Sequence, residues 1–126
     1  VKGQVQSMDL REVELPTGKI LINEEAKAAF EGKTAIIVDD IADTCGTLLR
    51  AVSNNIVGQY QAKEAYAVIT HGVLSGNALE KIANTKELKG MIITDSFPLK
   101  CEPPANLEIV SSAPIFAEAI YSSIEK

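Results

Sequence analysis

The sequence predicts an α/β fold, a mainly parallel sheet with helices on both faces. Three observations carry that expectation. Strand-like and helix-like segments alternate along the chain in a repeating β-α order, which argues parallel strands joined by right-handed crossovers. The strand candidate Thr34–Asp39 holds an unbroken apolar run, the pattern of a buried strand. The chain has 126 residues, 46% of them hydrophobic, which suits one domain around one core and argues against disorder.

Each element follows in order. Val13 and Leu15 alternate with charged residues and hint at an edge strand before the Pro16-Thr17-Gly18 turn. Asn23 is placed to cap a helix over Glu24–Phe30, with two acids in its first turn, and Gly32 ends it. Thr34–Asp39 reads as a buried strand. Thr47–Val57 reads as a helix with Leu48, Leu49, Val52 and Ile56 on one face. Glu64–Thr70 is a second strand, Gly76–Ala83 a helix and Met91–Thr94 a third strand. Cys101–Ala105 contains Pro103-Pro104 and must be loop. Leu107–Ser111 is a fourth strand, and Pro114 opens a last helix reaching Ser123. In such sheets ligands sit beyond the carboxyl ends of the strands, where the loops at 39–47, 70–76, 94–99 and 111–113 fall.

The first of these loops carries the most chemistry. The run Ala35–Val38 ends in two adjacent carboxylates, Asp39 and Asp40. Adjacent like charges cost energy unless something binds them. Asp43 then opens a Thr/Gly-rich turn, Thr44-Cys45-Gly46-Thr47, and a helical pattern starts at once. Such a turn offers backbone N–H groups to one phosphate, and the two threonine hydroxyls can donate to it as well. Carboxylates repel phosphate but accept from sugar hydroxyls. One loop therefore matches a sugar phosphate, hydroxyls on one side and phosphate on the other. The bland reading of Asp43 and Thr44 as an ordinary helix cap is compatible, because a cap and an anion use the same N–H groups.

Other features exclude functions. Gly32-Lys33-Thr34 looks like the end of a P-loop, but Lys27 stands where the upstream glycine is required and a strand follows instead of preceding. No apolar stretch approaches the roughly 20 residues that span a membrane, and the polar N-terminus lacks the apolar core of a signal peptide. A net charge of −5 argues against nucleic acid as a partner. Cys45 and Cys101 lie far apart, which suggests reduced thiols in a cytoplasmic protein and neither a disulfide framework nor a zinc site. His71 is the lone histidine and is expected to shape a loop or to support the site from behind its contacting residues, not to act as an acid or base.

The segment Val38-Asp39-Asp40-Ile41-Ala42-Asp43-Thr44-Cys45-Gly46-Thr47 resembles the ribose-5-phosphate/PRPP loop of type I phosphoribosyltransferases and PRPP synthetases. Thr70-His71-Gly72-Val73-Leu74-Ser75-Gly76 is similar to a PRPP synthetase motif, with Leu74 in place of the usual Phe. Ile93-Thr94-Asp95-Ser96-Phe97-Pro98 and Phe116-Ala117-Glu118-Ala119-Ile120 resemble two further segments of that family, in its order and spacing across residues 33–121. The resemblance implies the type I phosphoribosyltransferase-like fold and the activity of a ribose-phosphate diphosphokinase, ATP plus ribose 5-phosphate giving AMP and PRPP. It implies a substrate site at Asp39, Asp40, Asp43, Thr44, Cys45, Gly46 and Thr47, the acids on ribose hydroxyls and residues 43–47 on the 5-phosphate. It also implies Mg²⁺ as cofactor, ATP as co-substrate, a homo-oligomer of hexamer type, and a regulatory phosphate/ADP pocket involving Ser111, Ser112 and Ala113. Many transferases carry Gly where Cys45 stands; a thiol at a helix N-terminus is expected to have a lowered pKa and to expose the site to oxidation.

By the same resemblance, residues 1–126 form a single domain matching the C-terminal half of a two-domain enzyme. The family's Lys-x-Arg catalytic motif has no clean copy, since Lys2 is followed by Gly3 and Gln4 and Arg11 is isolated. The chain opens on Val1 and is read as part of a longer protein, binding sugar phosphate but inactive alone. Two alternatives stand beside this: a non-catalytic homologue that assembles with active subunits, and a salvage phosphoribosyltransferase, although nothing here looks like a base-recognition hood.

Overall fold

The structure is a computed structural model and describes residues 27, 28 and 30–125. Four strands, β1 (Thr34–Ala42), β2 (Glu64–Gly72), β3 (Leu88–Thr94) and β4 (Leu107–Val110), make one sheet in the order β1-β2-β3-β4. Every pairing is parallel, as expected, and Val38 lies opposite Val68, which lies opposite Ile92. Each connection therefore crosses from the carboxyl end of one strand to the amino end of the next. Helix α1 (Gly46–Arg50) runs on as a π-helix over Ala51–Gln59; α2 is Ala78–Asn84 and α3 is Ala113–Ile124. The expected edge strand near Val13 and the Asn23 cap lie outside the described residues, while Lys27, Ala28 and Phe30 are helical as expected.

The core lies between the sheet and the helices before and after β2. Ala35, Ile37, Ala65, Ala67 and Ile69 alternate with exposed residues along β1 and β2. The small alanines let Val52, Ile56 and Ile82 approach closely, and all three are buried. Each fully buried aliphatic side chain contributes about 1.5–3 kcal/mol by leaving water. The expectation of strands covered on both sides holds on one side only among the described residues. On the other face Ile36 is 66% and Val38 77% exposed, and Tyr66 and Val68 are more than a third exposed. Helix α3 buries no residue.

Two boundaries differ from the sequence reading. Strand β1 continues past Asp39 to Ala42, because its pairing with β2 persists through Ile41–His71 and Ala42–Gly72. The expected α-helix at Thr47–Val57 is α-helical for one turn and a π-helix beyond. The buried positions Ala51, Val52, Asn55, Ile56 and Tyr60 recur every four to five residues, wider than the α repeat. Tyr60 N–H donates to Asn55 C=O at 2.8 Å, the i→i−5 bond of that wider helix. Gly58 is required there, because a Cβ would lie 2.8 Å from the Ser53 carbonyl oxygen.

Candidate functional site

The carboxyl edge of the sheet gathers four loops, and the first begins inside β1. Alternation along a strand sends neighbours to opposite faces. Asp39 therefore falls on the parity of Ala35 and Ile37, the helix-covered side, and Asp40 on the parity of Ile36 and Val38, the bare side. Both carboxylates are exposed, and each accepts from the backbone N–H of the next residue at 2.8 Å. Cys45 follows with φ 64, a left-handed conformation that turns the chain sharply into α1. Leu49 N–H then donates to Cys45 C=O at 2.9 Å, closing the first helical turn. Thr44 and Thr47 stay exposed. The seven residues predicted to bind a sugar phosphate thus occupy one continuous strand end and turn, with Asp39 and not Asp40 on the side of the helix that follows.

Cys45 is the correction. The expected lowering of its pKa is overturned: the thiol is pushed up to about 11. Burial is the main cause and the nearby Asp43 charge adds to it, while Lys81 opposes both. The thiol is 6% exposed and its Sγ–H points at the Asp43 carbonyl, 3.8 Å away.

Neighbouring loops are tied together by hydrogen bonds that sequence order does not reveal. Asp43 accepts the Ser75 hydroxyl across 32 positions of chain. The helix expected from Gly76 begins instead at Ala78, and the Ser75 hydroxyl just before it serves the first loop. Val73 and Leu74 both donate their N–H groups to Ala42 C=O, at 3.0 and 3.2 Å. His71 Nδ1 lies 2.8 Å from Ser96 Oγ, and its ring stands edge-on to Phe97 with centroids 6.2 Å apart. That is the loop-shaping role expected of it. Gly72 packs under β3, where a Cβ would meet the Ile93 side chain at 2.8 Å.

The predicted regulatory residues sit at the far end of the same edge. Asp95 accepts the Ser112 N–H at 3.0 Å, the Ser112 hydroxyl, and the Ser111 hydroxyl at 3.4 Å. These bonds, Ser112's hydroxyl first, hold the Asp95 carboxyl below its ordinary 3.8. Ser112 is the N-cap of α3 yet gives its hydroxyl to Asp95, and Ser111 Oγ accepts from Ala113 N–H at 3.2 Å instead. Sequence reasoning missed Asp95 and Ser96, because their partners lie 17 and 25 positions away.

A divalent cation was expected from the resemblance. Among the described residues no group of three or more His, Cys, Asp or Glu side chains converges. Asp39 and Asp40 alternate across the sheet and do not make a shared pair of ligands. The described residues do not fit a protein-built Mg²⁺ site. No described helix is long and apolar enough to cross a membrane.

A parallel sheet that brings two successive acids, one on each face, and a Thr/Gly-rich turn to its carboxyl edge defines an α/β domain with its candidate site at the strand ends. The chain belongs to the phosphoribosyl synthetase-associated domain family, whose model matches residues 25–125. It is 50% identical over 92 residues to a ribose-phosphate pyrophosphokinase of Oceanobacillus iheyensis, covering 72% of this chain and 28% of that protein. It is 38% identical over 102 residues to ribose-phosphate pyrophosphokinase 4 of Saccharomyces cerevisiae, covering 78% and 30%. The crystal structure of a phosphoribosylpyrophosphate synthetase from Mycobacterium smegmatis superposes with a TM-score of 0.68 at 34% identity, covering 75% of this chain and 31% of that one. The chain thus spans under a third of the length of these relatives.

Proposed function

We propose that this chain carries the ribose-5-phosphate cradle of a ribose-phosphate diphosphokinase. One observation carries the reading: the strand–turn–helix at Asp39–Thr47 stands at the carboxyl edge of a parallel sheet, in a chain whose relatives bear that enzyme's name. In the proposed reaction the ribose 1-hydroxyl attacks the β-phosphorus of ATP, pyrophosphate is transferred, and AMP leaves. Asp39 accepts from ribose hydroxyls and orients the sugar, with Asp40 reaching it from the strand end. The N–H groups of residues 43–47 and the Thr44 and Thr47 hydroxyls hold the 5-phosphate. Asp43, fixed by Ser75, sets the shape of the turn. Fixing the sugar this way lowers the barrier by positioning. ATP, Mg²⁺ and the Lys-x-Arg loop are assigned to polypeptide beyond this chain, so residues 1–126 alone bind substrate without turning it over. Homo-oligomeric assembly, a phosphate/ADP pocket at Ser111, Ser112 and Ala113, and a cytoplasmic location belong to the same proposal.

Calorimetric titration with ribose 5-phosphate, with and without Mg²⁺ and beside Asp43→Ala, tests the cradle. Saturable binding that the variant loses supports it; absence of binding to the folded chain refutes it. PRPP formation from ATP by the purified chain is the complementary assay, and any turnover contradicts its proposed inactivity.

A further inference from the structure

The loop over Asp39–Thr47 contains three carboxylates and no basic residue. A phosphate brings further negative charge, and amides and hydroxyls donate to it without neutralising it. An ammonium stands beside the turn on another element. Lys81 Nζ, on α2, lies 3.8 Å from the point where a Cβ on Gly46 would sit. Gly46 has no side chain, so nothing of its own separates that ammonium from the backbone of the turn. Lys81 is half-buried. It makes no ion pair or side-chain hydrogen bond among the described residues. Asp43, the nearest acid of the loop in sequence, gives its carboxylate to Ser75 instead. Lys81 lines the groove between α1 and α2 together with Gly46. The charge is thus held at the turn and left uncommitted. Its charge reaches the neighbouring Cys45 thiol, where it opposes burial and the Asp43 carboxylate as the smallest of the three influences.

We infer that Lys81 supplies the positive charge of the sugar-phosphate cradle, a residue that positions and neutralises the 5-phosphate from α2 while the turn provides the hydrogen bonds. The inference rests on the cradle reading above. A lysine suits this place because its ammonium is a point charge on a flexible stem, able to follow the ligand by an ångström or two. The selectivity it confers is for the phosphorylated sugar over the free one.

The test is calorimetric titration of the whole chain with ribose 5-phosphate and with ribose, at low and high salt, for wild type, Lys81→Met and Lys81→Arg. Lys81→Met weakens ribose 5-phosphate binding about fivefold at low salt, and the difference shrinks at high salt. Lys81→Arg stays within about twofold of wild type, and thermal midpoints of all three agree. Wild-type binding with Lys81→Met unchanged overturns the inference and leaves the cradle reading intact. A loss independent of salt and not rescued by arginine assigns Lys81 a packing role and also overturns it. If the folded wild type binds no ribose 5-phosphate, the cradle reading itself fails and takes this inference with it.

Discussion

Asp39 and Asp40 are adjacent in sequence but lie on opposite faces of β1. The sequence reading paired them, because strand alternation decides their separation only once β1 is known to run to Ala42. If the cradle lies on the helix side, Asp39→Asn costs about tenfold in ribose 5-phosphate affinity and Asp40→Asn clearly less; equal losses contradict the assignment. Titration calorimetry reads both. Cys45 shows the opposite limit. Its place at a helix start was legible and predicted a reactive thiol, but its burial and its closeness to Asp43 were not, and these win. A thiol near 11 is ionised to well under about 0.1% at neutral pH. The native chain should therefore show one fast-reacting thiol, the exposed Cys101, with Cys45 reacting only after unfolding. Two equally fast thiols in a disulfide-exchange assay would contradict the burial.

At the scale of elements, the β-α order and the positions of all four strands were legible, because short apolar segments alternate with helical patterns along the chain. The π-helix was not. Leu48, Leu49, Val52 and Ile56 satisfy α and π spacing almost equally, and the choice falls to tertiary packing of Asn55 and Tyr60. Gly58→Ala discriminates: its Cβ lies 2.8 Å from the Ser53 carbonyl in the π form, so the substitution should destabilise by about 1–3 kcal/mol in denaturant melts. In a regular α-helix it would stabilise instead. The loops carry a pH dependence of known sign. Asp95's folded pKa lies below the ordinary 3.8. Its contribution is complete above the unfolded value and is lost as pH falls through the lower folded one. The group is fully exposed, so the effect on global stability is small. A local reporter is better: the Ser112 amide resonance should titrate with a midpoint below 3.8 and stay flat in Asp95→Asn.

At the scale of the molecule, the two faces of the sheet predict opposite sensitivities. Ile82 is fully buried in the packed layer, and Ile82→Ala should cost about 2–5 kcal/mol. Val38, 77% exposed on the other face, should tolerate Val38→Lys within about 0.5 kcal/mol. Denaturant midpoints measure both, and a large loss at Val38 would mean that the bare face is covered in solution. Composition alone could not have shown this asymmetry, since Ile36 and Ile37 are the same residue type and differ only in parity along β1. Strand β1 also ends the sheet: it pairs with β2, and no other described strand lies beside it. Nine residues long and rich in Ile and Val, it finds no partner for its outer amides and carbonyls among the described residues, which also leave the apolar face beside them uncovered. Such a margin templates fibre growth from strand to strand. Concentrated solutions of this chain should therefore scatter light and seed thioflavin-positive fibrils, and a single lysine at Val38 should delay their onset.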